Sequence, residues 1–375
     1  MSQNRKRAFL AYGDPMRIVA TCAVVVIHVL PLPKDVAPAD LGWYCVAATW
    51  TQWCVPVFFI LSGALLLDPA SEQSASDFYR RRLWRIGIPV VIWSAFYIGF
   101  RVLYHKEDLT TKDILRDIIH GITGYHLWFV FALAGLYTVT PLLRVINTGL
   151  SPRNRRILAL TCLVVATASN ASSVVWGLRR DQNVIDGWAY FLGYFLLGPL
   201  IATVRVSGWR LMTVSATTII SFSVSTLGVY ACMSSDNLSR WRGLFQGYLA
   251  IPAVLGSIGI YVVFASTLVG DWTRSRMVSL LGTASFGVYL IHSAVLDTLR
   301  GEVLTDKSGS LASVAVFWSA TMATTLAIVV VLLKVPYLGW VIGSSRPASS
   351  PPPSDRQSPE LAAAGGPTDS TRSAR

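Results

Sequence analysis

The chain has 375 residues, of which 53% are hydrophobic and only 14% charged, with a formal net charge of +12. This balance argues against a pair of soluble domains and for a membrane protein. No large soluble face is left for a basic stripe, so a nucleic-acid partner is not expected. Five cysteines without a Cys-x-x-Cys pair argue against a disulfide framework or a zinc site as the organising principle, and no metal site is expected.

Charged residues cluster between apolar runs of about 20 residues, the length of helix that crosses a hydrocarbon core. Backbone polar groups in lipid must be satisfied within the segment, so the runs are read as helices. Ten are predicted, over residues 16–33, 45–68, 84–104, 126–146, 157–176, 187–204, 211–232, 246–268, 279–299 and 311–333. An even number puts both termini on one side. Most Lys and Arg residues, including Arg5-Lys6-Arg7, Arg80-Arg81-Arg82 with Arg85, and Arg153 with Arg155-Arg156, then fall on that side, which the positive-inside rule makes the cytoplasm. The expected fold is an all-α integral membrane bundle of about ten transmembrane helices with both termini cytoplasmic. It divides into a basic N-terminus over 1–15, a membrane domain over 16–343 and a cytoplasmic tail over 344–375.

The first run lacks a small-residue cleavage site and leads into Pro31-Leu32-Pro33-Lys34, so it is read as helix one rather than a signal peptide. It carries Arg17 and His28. Eleven residues at about 100° each return a helix to within roughly 20° of its starting direction, about 16 Å further along. Both side chains then look into the bundle from one face. A neutral imidazole at position 28 suits a general base for a hydroxyl. A hydrogen-bonded interhelical His and a snorkelling topology Arg fit the same spacing.

Helix two contains Val55-Pro56-Val57-Phe58-Phe59-Ile60-Leu61-Ser62-Gly63. Pro56 bends it, and Ser62 and Gly63 allow close backbone approach, either for packing or to shape a tunnel for a pantetheine arm. Helix three opens on Arg82-Leu83-Trp84-Arg85. Residues three apart share a helix face, so the two guanidinium groups form a fork suited to phosphates, such as those of coenzyme A; a topology signal alone would look the same. His126 opens helix four and His292 lies in helix nine, each placed to orient an acceptor or to bond a neighbouring helix. Asp297 is expected to face water, as are His105 and His120 in an external loop. From Ser344 onward the chain is rich in Ser, Pro, Ala and Gly, a composition expected to be disordered. No fixed-period repeat, nucleotide loop or Gly-x-Ser-x-Gly elbow is present.

Over most of residues 14–300 these segments resemble the bacterial membrane acyltransferase-3 family. The resemblance rests on Arg17 followed after ten residues by His28, Phe58-Phe59-x-x-Ser62-Gly63, Arg82-x-x-Arg85, His126-Leu127-Trp128-Phe129 and Ser285-Phe286-Gly287-Val288-Tyr289-Leu290-Ile291-His292. Within the family it is closest to surface-polysaccharide O-acetyltransferases. It implies a multi-pass protein of the bacterial inner membrane that moves an acyl group, acetyl above all, from cytoplasmic acyl-CoA to a hydroxyl of an extracytoplasmic glycan or lipid-linked saccharide. Acetyl-CoA is then a co-substrate, and no cofactor is expected. His28 and Arg17 are the implied catalytic residues, with Arg82, Arg85, Ser62 and Gly63 on the acyl-CoA. His126, Trp128, Tyr289 and His292 are the implied acceptor contacts. Many relatives carry a fused extracytoplasmic hydrolase-like domain that this sequence does not show, so transfer is completed in the membrane domain or by a separate extracytoplasmic transferase partner. Two readings outside catalysis stay open: transport or flipping of lipid-linked sugars, and a non-catalytic role in membrane assembly.

Overall fold

The computed structural model describes residues 3–68, 73–178, 186–268, 270–303, 309–335 and 338–344. The tail beyond Ser344 lies outside the described residues. Among these, all regular structure is helical: α1 (Gln3–Val29), α2 (Leu41–Trp50), α3 (Cys54–Leu66), α4 (Ala75–Arg82), α5 (Ile88–Leu103), α6 (Thr111–His120), α7 (Trp128–Gly149), α8 (Pro152–Val175), α9 (Leu192–Ile201), α10 (Gly208–Met233), α11 (Ile251–Thr267), α12 (Arg276–Thr298) and α13 (Leu311–Lys334).

Among the described residues, eight helical stretches are long and apolar enough to cross a membrane, and two shorter apolar helices, Ala189–Ile201 and Ile251–Thr267, occupy the remaining predicted spans. The chain is a multi-pass membrane protein. Lipid-facing apolar residues such as Val164, Val165, Leu227 and Val331 are exposed on α8, α10 and α13.

Prolines set the departures from straight helices. Helix α1 begins at Gln3, well before the predicted span, and stops at Val29, ahead of Pro31. The second span is broken at residues 51–53 into α2 and α3. Pro56 has no N–H for the carbonyl of Gln52 and its ring collides with it, so the ladder opens there. The third span starts earlier than predicted, with α4, and reaches α5 through a π turn at Leu83–Gly87. Pro89 conflicts in the same way with the carbonyl of Arg85, and the wider turn absorbs the misfit. Helix α6, unforeseen in the sequence, lies in the predicted external loop. A reciprocal cap between Thr110 and Asp113 starts it and left-handed Gly121 ends it. Its buried Asp117 pairs with Arg101 of α5 at 2.7 Å.

The core is built where α3 packs on α9, α1 on α12 and α10 on α11. Gly63 and Gly198 make the first contact possible. A Cβ on Gly63 would collide with the carbonyl oxygen of Phe195, and one on Gly198 with the carbonyl of Ile60 and the amide of Ala64. The two backbones therefore touch without intervening side chains.

Candidate active site

Three imidazoles from three parts of the chain converge. His28 is near the end of α1, His126 lies in the turn before α7, and His292 is in the middle of α12. Their ring centroids are 5.1 Å apart for His28 and His292, 5.0 Å for His126 and His292, and 6.2 Å for His28 and His126. Among the described residues no three His, Cys, Asp or Glu side chains stand together as a metal-holding group.

His292 is the ring of the three that engages backbone carbonyls at hydrogen-bond distance. Nδ1 of His292 is 2.7 Å from the Tyr289 carbonyl and 3.2 Å from that of Val288. Carbonyls only accept, so Nδ1 carries the proton and the Nε2 of a neutral ring offers a lone pair. That Nε2 is buried and has no hydrogen-bond partner. Both ring nitrogens of His126 are buried, and no hydrogen bond of good geometry reaches them among the described residues. Leaving such atoms unpaired costs about 1–3 kcal/mol each, which a purely structural histidine would avoid. The His28 side chain makes no hydrogen bond among the described residues and lines a cavity of about 1360 Å³.

Tyrosines fix the cluster. The Tyr97 hydroxyl donates to the Leu290 carbonyl at 2.8 Å and accepts from the Ala294 amide at 3.3 Å. Those two groups are also partners in the α12 ladder. The phenol thus bridges two backbone groups that flank His292 in sequence. Tyr289 donates its hydroxyl to the His126 carbonyl, tying α12 to the turn that carries His126. At the end of α12, Arg300 donates to the carbonyls of His28 and Val29.

The cavity opens where α1, α5 and α12 end. Its wall includes Tyr125, whose ring lies 5.2 Å from that of His28, and the pair His105 and Asp297 at 3.5 Å. Asp297 and His105, expected to be simply solvated, therefore meet beside the histidines. Trp128 is turned away from the three rings: it stacks on Tyr248 at 5.5 Å and lines a separate cavity of about 360 Å³ with His120.

At the opposite end of the bundle stand the arginines. Arg17 pairs with Asp14 at 2.7 Å. The Arg82 guanidinium lies over the rings of Phe78 and Tyr137, 5.4 Å from each centroid, and its Nε is buried without a partner. Arg85 is within electrostatic reach of both Arg82 and Arg17. Arg144, which the sequence did not single out, shares the Phe78 ring at 4.7 Å and donates its Nε to the Leu66 carbonyl. The last described segment, Leu338–Ile342, packs against this region, with Trp340 edge-on to Trp84 and the Val341 carbonyl accepting from Trp93. Ser62 and Gly63 lie on α3, where Gly63 serves the contact with α9.

Residues 10–334 match the acyltransferase-3 family, described as an acyltransferase domain. Over 282 residues, 64% of its length, the chain is 26% identical to "Putative peptidoglycan O-acetyltransferase YrhL" of Bacillus subtilis (strain 168), 44% of which is covered. Over 121 residues, 31% of its length, it is 26% identical to an "Amino-acid racemase" of Enterococcus faecalis, 16% of which is covered. The chain spans less than half the length of either curated relative. No solved structure matches.

Proposed function

Because the chain belongs to the acyltransferase-3 family, we propose that it is an inner-membrane O-acyltransferase that moves acetyl from cytoplasmic acetyl-CoA to a hydroxyl of an extracytoplasmic glycan or lipid-linked saccharide. The observation that carries this reading is the separation of two chemistries. Arginines gather at one end of the bundle, and at the other a large cavity is lined by His28, whose ring stands beside those of His126 and His292.

In this reading Arg82 and Arg85, joined by Arg144, hold the phosphates of CoA, since guanidinium groups bind phosphate through charge-assisted hydrogen bonds. The thioester reaches His28 past α3. An acceptor hydroxyl in the cavity attacks the thioester carbonyl as His28 takes its proton. The new C–O bond forms, the C–S bond breaks, and the proton passes from His28 to the departing sulfur, giving ester and free CoA. Nε2 of His292, carrying a lone pair beside His28, orients that ring or shares its proton. Arg17 holds the donor in register.

Purified full-length protein in lipid nanodiscs, given radiolabelled acetyl-CoA and surface glycans from an acyltransferase-deficient strain, tests the reading. Labelled glycan and free CoA in equal amounts are expected, and His28→Ala is expected to lower the rate by about 10²- to 10⁴-fold, the range for loss of a general base. A correctly folded His28→Ala protein with full activity would refute the base assignment. Saccharide movement without CoA release would instead mark a transporter.

A further inference from the structure

The cavity volume of about 1360 Å³ exceeds the roughly 300–1,000 Å³ of sites for small ligands. An acceptor filling it is larger than one sugar unit. One wall is the segment 242–248, which follows α10 and precedes α11. It is held from three distant parts of the chain: the break between α2 and α3, helix α8 and helix α9. Gln52 Oε1 accepts from the Gly247 amide at 2.8 Å, Asn170 donates to the Gly243 carbonyl at 3.1 Å, and the Tyr194 hydroxyl donates to the Tyr248 carbonyl at 2.7 Å. Within the segment, the Phe245 and Gln246 amides both bond the Arg242 carbonyl.

The Arg242 side chain lines the cavity from this braced wall and makes no hydrogen bond or ion pair among the described residues. The carboxylates that share the cavity leave it unneutralised: Asp297 is engaged by His105, and Asp35 is an exposed residue of the segment after α1. Tyr44 and Tyr248 add ring surface to the same cavity, and Gln52 and Gln246 add amides. A guanidinium carried on a braced backbone and without a protein anion, among aromatic and amide groups, is suited to a saccharide that carries its own anion.

Resting on the acyltransferase reading, we infer that the acceptor is an anionic oligosaccharide whose carboxylate or phosphate is read by Arg242. The two sources share one chemistry, an oxyanion bound by a guanidinium. A uronic acid would supply it within the sugar chain, and a phosphate-linked saccharide at its reducing end.

Binding to the full-length protein in nanodiscs, followed by isothermal calorimetry without acyl donor, tests this with three probes. These are tetragalacturonate, its fully methyl-esterified neutral form, and a neutral tetrasaccharide 1-phosphate. At least one charged probe should bind roughly 10-fold more tightly than the neutral ester, in keeping with a charge-assisted hydrogen bond. The tighter charged probe identifies the source. Arg242→Gln should bring that probe to within about 2-fold of the ester, Arg242→Lys should retain part of the preference, and Arg240→Gln, two residues earlier and outside the cavity lining, should retain all of it. Equal binding of charged and neutral probes, no binding of any, or a preference that survives Arg242→Gln overturns the inference. Acetyl transfer is assayed on the same preparations. Charge-dependent binding without transfer counts against the acyltransferase reading and leaves the anion site standing, and transfer without charge preference does the opposite.

Discussion

Arg300 donates to the carbonyl oxygen of Val29 at 2.6 Å, closing the end of α1 with a side chain from beyond the end of α12. The same Nη2 reaches the His28 carbonyl at 3.2 Å. The last carbonyls of a helix have no partner of their own, and a cation there also meets the negative end of the helix dipole. Arg300 thus fixes the backbone of the residue proposed as general base.

Arg300→Ala is therefore expected to lower kcat by about 10- to 100-fold, as small displacements of a reacting group do, while the KM for acetyl-CoA changes little. Arg300→Lys, which keeps charge and one donor direction, should recover part of the rate. Steady-state kinetics on variants matched for monodispersity check this. A KM increase with unchanged kcat would show that Arg300 acts on substrate binding rather than on His28.

Tyr97→Phe removes the hydroxyl that bonds both Leu290 and Ala294. Either two buried backbone groups lose a partner, at about 1–3 kcal/mol each, or α12 tightens around them and turns His292. Both outcomes lower activity; the second does so without loss of thermal stability. Melting of the purified variant, set beside its turnover, distinguishes them. Wild-type values of both would show this hydroxyl to be unimportant.

Gly63→Ala should be poorly tolerated for packing reasons, because the added methyl meets the Phe195 carbonyl, part of a backbone that cannot rotate away. Overpacking of this kind costs about 1–3 kcal/mol and sometimes more. Ser62→Ala should fold normally, so its KM for acetyl-CoA reports on an acyl-donor role directly. A Gly63→Ala protein as stable as the parent would mean that α3 and α9 can separate.

Arg82→Ala and Arg85→Ala are each expected to raise the KM for acetyl-CoA by about 10-fold or more, since a hydrogen bond to a charged group contributes about 1.5–3 kcal/mol. Comparison with dephospho-CoA tells which phosphate each contacts. The arginine that reads the ribose phosphate loses its effect with that analogue. Unchanged KM in both variants would remove the donor site from this end of the bundle.

Much of this architecture is legible in the amino-acid sequence. Apolar length marks the spans, and interior ionisable residues single out His28, His126 and His292 one at a time. Their meeting is not legible, because 98 positions separate the first pair and 166 the second, and no local period reports a tertiary contact. Adjacency in sequence groups Trp128 with His126, yet His126 lies in a turn, buried against His28 and His292, while Trp128 on the first turn of α7 lines the smaller cavity with His120. Arg242 and Arg300 read as ordinary charges of external loops. Their roles depend on carbonyls and cavity walls supplied by distant segments. Helix α6 does carry a signal, Thr110-x-x-Asp113 ahead of an amphipathic run with Gly121 after it.

The backbone contact between α3 and α9 limits how this protein can move. With Gly63 set against Phe195 and Gly198 against Ile60 and Ala64, neither helix can slide or roll without striking the other's main chain. Away from this contact, the π turn at Leu83–Gly87 holds one surplus residue in an otherwise α-helical span. Passing that surplus along the helix would turn Arg85 relative to Arg82 while the glycine contact keeps α3 and α9 still.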